Sequence, residues 1–391
     1  MGLTALQESF DAIDVEQLRA RGSVKWSTYP DAIGAFVAEM DFGLAPAVRA
    51  ALESVVDRAT TGYLPAALRE DLGRATAEWH LARYGTVIDP QRVQPLGDVL
   101  AGAELAIRHF SRPGAPVIVP TPAYMPFLRL PLALGREVIE VPCATDGGRA
   151  VLDLEALAAA FEAGGDLVLL CNPWNPIGRV LSRDELAGVA AVVEQHGGRV
   201  FADEIHAPLV YEGAAHVPYA SVSDAAAAHA VTATSMSKAF NLPGLKCAQL
   251  ILSNDADADR FAEVGLWASH GASTPGVLAS TAAFRDGGPW LDEVVDYLDG
   301  NRRTLADLLE EHLPEVGCTQ PEGTYIAWLD ARPLGLDEPA ADFFLREAGV
   351  AMTDGAACGV AGEGRLRFVF AMPRPIMTRA VLQLARAVRA R

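Results

Sequence analysis

The chain has 391 residues, half of them hydrophobic, enough for a substantial core and for two or three domains. Its 32 Lys and Arg against 50 Asp and Glu leave a formal charge of −18, which repels phosphate backbones and argues against nucleic acid as a partner. Cys143, Cys171, Cys247, Cys318 and Cys358 form no C-x-x-C pair, against a disulfide framework or a zinc site; with no leader-like start and no long apolar run, a cytoplasmic protein without membrane association is expected.

In chain order, short apolar runs alternate with helical patterns. Pro116–Pro120, Arg136–Val141 and Asp166–Cys171 read as strands, the last ending at Asn172-Pro173. Ser182-Arg-Asp-Glu185 is a capping box that opens a helix, and Gly197-Gly198 stops it. Strands follow at Arg199–Asp203, Ala230–Thr234 and Cys247–Leu252. This alternation predicts an α/β fold with a largely parallel sheet, whose chemistry lies beyond the carboxyl ends of the strands. After about residue 286 the pattern changes to a long charged helix over Trp290–His312, a strand near Thr324–Leu329, a helix, a strand at Arg365–Ala371 and a closing helix. The expected division is a large domain over 46–285 and a smaller α+β domain from 286–391 with the N-terminal segment 1–45.

Three motifs fall at strand ends. Ser235-Met-Ser237-Lys238 places an amine among small hydroxyl residues, which suits a Schiff base near a phosphate; alone it equally fits a surface lysine in a loop. Asp203 in Ala202-Asp-Glu-Ile-His206 follows an apolar strand, where an acid is costly unless paired. It can keep a pyridine nitrogen protonated, cap a helix, or join Glu204 and His206 on a metal; no further His or Cys ligands fall at matching strand ends, so no metal is expected. Asn172-Pro-Trp-Asn175-Pro-Ile-Gly178 makes a fixed turn from which Asn175 can donate to a ligand, or a tight loop without one.

Together these motifs resemble the fold-type I pyridoxal-5′-phosphate (PLP) enzymes of the class I/II aminotransferase superfamily: N-P-x-N-P-x-G, then D-E, then S-K-x-F-x-x-P-G, in order and at matching spacing. Val24-Lys-Trp26, Ala38-Glu-Met-Asp-Phe42, Gly62-Tyr63, Pro122-Ala-Tyr-Met-Pro-Phe127, Asp203-Glu-Ile-His206, Phe240-Asn241, Pro321–Asp330 and Phe370-Ala-Met-Pro-Arg374 are similar to the cystathionine β-lyase (C–S lyase) branch, across residues 24–375. The resemblance implies a three-layer PLP-transferase fold with a mixed, mostly parallel central sheet. It implies Lys238 as the PLP-bearing base, Asp203 on the pyridine nitrogen, Asn175 with His206 near the phenolic oxygen, and Tyr124 on the ring face. Ser235, Ser237 and the backbone of Gly97-Asp98-Val99 would hold the phosphate. Tyr63 would reach the neighbouring subunit's phosphate in a homodimer, and Arg374 would grip the carboxylate of a small amino-acid substrate as a two-point fork.

Several residues depart from the family pattern. Trp174 is bulkier than usual beside Asn175 and is expected to shape the substrate face. Lys246 stands where aminotransferases carry a phosphate-binding Arg, Asp98 puts an acid at the phosphate helix, and Glu39 replaces an Asp. The implied reaction is β-elimination from cystathionine or a cysteine S-conjugate, yielding thiol, pyruvate and ammonia. The competing readings are an aminotransferase, a specialised PLP reaction of secondary metabolism, and a protein that binds a transcription regulator.

Overall fold

A computed structural model describes residues 3–391. Its centre is a seven-stranded sheet of β1 (Val93–Leu96), β2 (Val117–Thr121), β3 (Val138–Pro142), β4 (Leu167–Cys171), β5 (Arg199–Asp203), β6 (Ala230–Thr234) and β7 (Ala248–Leu252), in the order β1-β7-β6-β5-β4-β2-β3. Every pairing is parallel except those of β7, which runs antiparallel to both β6 and β1. Two reversals restore direction, so β1 ends on the same edge as β2, β4, β5 and β6. Residues in β2, β4 and β6 are buried throughout, as expected of strands covered on both faces. β1 carries Pro95 and sits at the sheet edge, the place a strand proline tolerates.

The covering helices start where the side chains dictate. Ser182 accepts the Glu185 amide while Glu185 accepts the Ser182 amide, closing the capping box that opens α5 (Arg183–Gln195). Asp98 caps α3 (Val99–His109) by accepting the Ala101 amide at 2.9 Å. One core packs Leu96, Leu105, Phe127 and Phe201 on one face of the sheet; Leu170, Leu186, Val193 and Trp174 pack on the other.

A second, antiparallel sheet of β8 (Gly317–Thr319), β9 (Ile326–Asp330), β10 (Thr353–Asp354) and β11 (Arg365–Val369), in the order β8-β9-β11-β10, carries α7 (Gly288–His312) and α8 (Arg374–Arg389). The N-terminal segment is pinned against it by a buried lysine. Lys25 Nζ pairs with Asp41 at 2.9 Å and also donates to the carbonyls of Glu39 and Ala371, while the Trp26 indole N–H donates to Asp41. Residues 38–41 are thereby held across the edge at which the parallel strands end. No helix among the described residues is long and apolar enough to cross a membrane.

Candidate active site

At that edge lies a cavity of about 250 Å3 lined by residues from six separate strand ends and loops, with Lys238, Asp203, Asn175, Tyr124 and His206 among them. Lys238 follows β6 by four residues, and its Nζ donates to the Ala38 carbonyl at 3.1 Å. Burial, then the nearby Arg367 charge, pushes this amine down from 10.5 to about 8. Asp203 is the last residue of β5 and is buried; one oxygen accepts the Ile205 amide at 3.0 Å. Desolvation raises its carboxyl to about 7 despite the Lys238 charge. The chain contains only three lysines. Lys25 is consumed by Asp41 and Lys246 by Asp98, which leaves Lys238 as the one whose amine meets only a carbonyl.

Asn175 comes from the loop after β4. That loop folds back on itself as the Trp174 amide donates to the Arg179 carbonyl and the Gly178 amide to the Trp174 carbonyl, each at 2.7 Å. Gly178 has φ +73°, and a Cβ there would come within 2.5 Å of Pro321, so only glycine fits. Tyr124 precedes α4 (Met125–Ala133), its ring edge-on to Phe127. His206 is buried with Nδ1 lacking any partner among the described residues, and burial holds its imidazole well below the ordinary range, hence neutral. Gly97, Asp98 and Val99 line the opposite wall. A Cβ on Gly97 would approach the Gly271 carbonyl to 2.9 Å, so the close passage of these backbones requires glycine. The first amides of α3 face the cavity without intrahelical acceptors, as at any helix start.

Asp98, an acid at this position, sits over the helix opening: one oxygen caps Ala101 and the other pairs with Lys246 at 3.0 Å. Ser237 lines the cavity, whereas the Ser235 hydroxyl donates to the Cys247 carbonyl at 2.7 Å and accepts from the Ser237 amide. Ser235 therefore shapes the turn and has its proton committed. The three residues that could suggest a metal do not converge, because Asp203 and His206 face this cavity while Glu204 faces another on the far side of the sheet.

Two sequence expectations need correction. Arg374 does not reach the cavity. It opens α8, stacks its guanidinium 4.9 Å from the Tyr297 ring centre and donates to Asn301 at 3.0 Å, both residues of α7. The arginine at the site is Arg367, which the motifs did not single out. It is 2% exposed, and its Nε donates to Asn175 at 3.2 Å and its Nη1 to the Phe36 carbonyl at 2.9 Å. Its signal was available: a cation inside the apolar run Leu366–Val369 is as costly as Asp203 at the end of its strand. Trp174 does not form the substrate face either. The fold-back of its loop points the indole under the sheet, where its N–H donates to the Pro122 carbonyl at 2.8 Å and its ring packs in the core with Leu170, Ile177 and Trp328. Tyr63 is 93% exposed and lies outside the Lys238 cavity, beside a second cavity of about 480 Å3 that includes Leu266 and His270.

Comparison with known proteins agrees with this geometry. A cystathionine beta-lyase of Corynebacterium glutamicum is 37% identical over 88% of this chain and 91% of its own. Cystathionine beta-lyase PatB of Bacillus subtilis is 32% identical over 88% and 91%. The solved structure of a PLP-bound C-S lyase from Staphylococcus hominis superimposes with a TM-score of 0.89 at 27% identity, covering 97% of this chain and 98% of the other. The family model described as aminotransferase class I and II matches residues 36–384, and the chain belongs to that family.

Proposed function

We propose that the chain is a PLP-dependent carbon–sulfur lyase that expels a thiol from Cβ of cystathionine or a cysteine S-conjugate, the remaining three-carbon fragment taking up one water to give pyruvate and ammonia. One observation carries the reading: a lone lysine amine, a buried carboxylate and Asn175, itself bonded to the buried Arg367, converge on one cavity at the strand ends. The names of the relatives support elimination over transamination.

The residues present fit the cofactor. Asp203 is a buried acid with a single amide donor to its carboxylate, the environment that a protonated ring nitrogen would complete. His206 Nδ1 is a buried polar atom awaiting a partner beside Asn175. Ser237 and the opening amides of α3 offer donors for a phosphate, and Tyr124 an aromatic face. When bound, the cofactor supplies an electron sink for the pair released at Cα.

The chain's own groups do the rest. Lys238 would hold the cofactor and serve as the base toward the Cα proton. Asp203 keeps the ring nitrogen charged. Arg367 binds the substrate carboxylate: it is fixed by Asn175 and Phe36, and no described residue accepts from its Nη2. Fixing the carboxylate and the amine orients the Cα–H bond toward Lys238. Ala38, whose carbonyl accepts from the Tyr325 hydroxyl at 2.9 Å, lines the same cavity. We take the working protein to be a cytoplasmic homodimer in which Tyr63 completes the partner's phosphate site, with the large body at 46–285 and the smaller at 1–45 and 286–391. The test is to incubate the PLP-loaded protein with L-cystathionine and S-ethyl-L-cysteine and measure pyruvate and thiol. Both products are expected. Absence of pyruvate from every cysteine thioether, with pyridoxamine phosphate accumulating instead, would assign an aminotransferase.

A further inference from the structure

Residues 36–41 cross the edge of the large sheet as an irregular strap that touches both residues assigned to act on the substrate. The Phe36 carbonyl accepts from Arg367 Nη1 at 2.9 Å, and the Ala38 carbonyl accepts from Lys238 Nζ at 3.1 Å. Most of what holds the strap belongs to the N-terminal segment or to the smaller sheet and its loops. Thr353 donates to the Phe36 carbonyl, Tyr325 to that of Ala38 and Lys25 to that of Glu39, while the Asp41 amide donates to the Ala371 carbonyl. From the part of the chain that builds the seven-stranded sheet, only two residues hydrogen-bond to the strap among the described residues: Lys238 itself and Asn241. A lysine that carries a cofactor has no free amine for Ala38, which leaves Asn241 as the tie.

The contact is made twice over. Asn241 Oδ1 accepts from the Met40 amide at 3.0 Å and Asn241 Nδ2 donates to the Met40 carbonyl at 2.8 Å, so one side-chain amide engages both polar groups of one backbone residue. Asn can do this because it presents an acceptor and a donor side by side. Its φ of +56° is a left-handed conformation that Asn adopts more readily than most residues other than Gly. The turn beneath it is well held. The amides of Phe240 and Leu242 donate to the carbonyls of Met236 and Ser237, each at 2.9 Å, and the buried Phe240 ring stacks on Trp290 of α7. The strap is held as firmly at its end, since Met40 is buried and Asp41 beside it is bonded to Lys25 and Trp26. We propose that Asn241 is a positioning residue for the elimination: it registers the strap against the Lys238 turn and so sets the base and the carboxylate-binding Arg367 at their working separation. The proposal rests on the roles given above to those two residues. Asn241 itself is assigned no contact with substrate or cofactor.

The test compares the native protein with Asn241→Gly and Asn241→Asp. The Gly variant leaves the left-handed backbone unstrained and removes both bonds. The Asp variant keeps the shape and the acceptor but sets a carboxylate oxygen against the Met40 carbonyl. In the PLP-loaded proteins, deuterium uptake by peptides spanning 36–42 should be at least about tenfold faster in both variants, while peptides from β4 and β5 exchange as in the native protein. PLP affinity should stay within about threefold, because Asp203, Asn175 and the α3 amides lie off the strap, whereas kcat/KM for S-ethyl-L-cysteine should fall at least about tenfold. Exchange needs no turnover: if the native protein released no pyruvate, the lyase reading would fail while uptake at 36–42 still showed whether Asn241 holds the strap. Uptake at 36–42 unchanged in either variant would overturn the proposal. So would kcat/KM within about threefold of native, or activity lost in step with PLP affinity and with faster exchange along the whole chain, the mark of a residue that only stabilises the fold.

Discussion

Replacing Arg367 by Ala separates the two arginines that compete for the substrate carboxylate. Arg367 is buried, oriented by two hydrogen bonds, and beside the Lys238 cavity; Arg374 is bonded to α7. A hydrogen bond between charged groups contributes about 1.5–3 kcal/mol, so a two-point grip contributes about 3–6 kcal/mol. At about 1.4 kcal/mol per decade this is a loss of about a hundred- to ten-thousandfold in kcat/KM for S-ethyl-L-cysteine. Arg367→Lys keeps the charge but loses the fork, and should fall between this variant and the native protein. Arg374→Ala loses its bond to Asn301 and its stacking on Tyr297, so it should reduce stability by about 1–3 kcal/mol while kcat/KM stays within about threefold. Pyruvate release measured under first-order conditions gives kcat/KM directly, and cofactor affinity measured alongside it distinguishes lost substrate binding from a damaged site. A crippled Arg374→Ala with an active Arg367→Ala would refute the assignment.

Three further outcomes follow from the same structure. The rate at which cofactor-free protein recaptures PLP should rise with pH and level off near 8, because only the unprotonated Lys238 amine attacks; an ordinary lysine would keep rising toward 10.5, and that behaviour in stopped-flow absorbance would contradict the buried amine. Lys25→Met leaves Asp41 as a lone buried carboxylate and should cost about 3–5 kcal/mol in urea unfolding, whereas Lys25→Met with Asp41→Leu should recover part of the loss. If Tyr63 serves the partner subunit, mixing inactive Lys238→Ala with weakened Tyr63→Ala protein should regain activity, since one site of each hybrid dimer is then native; no gain after subunit exchange would remove Tyr63 from that role.

Much of this molecule is legible in its sequence because parallel strands buried on both faces leave uninterrupted apolar runs. Residues 230–234 and the strands around 117–121 and 167–171 are found within a residue of their expected places. β1 was not legible: it is short, contains Pro95 and pairs only at an edge. The antiparallel course of β7 is likewise invisible to periodicity, which reports burial and not direction. Asp203 stands out because an acid at the end of an apolar strand is costly unless paired, whereas Lys238 stands out only through its Ser-Met-Ser-Lys motif and the family resemblance. Arg367 contradicts its surroundings as Asp203 does, and the nearby Pro373-Arg374 motif drew attention from it. Trp174 shows the converse error. Adjacency to Asn175 along the chain says nothing of direction when the loop reverses within seven residues.

The central claim is that Lys238 carries the cofactor, and a chain with three lysines makes the measurement unambiguous. Borohydride reduction of the PLP-loaded protein followed by peptide mass spectrometry should place the reduced phosphopyridoxyl group on the peptide containing Lys238, and Lys238→Ala should show neither the adduct nor the cofactor's visible absorbance. An adduct on Lys246 or Lys25, or visible absorbance retained in Lys238→Ala, would contradict it.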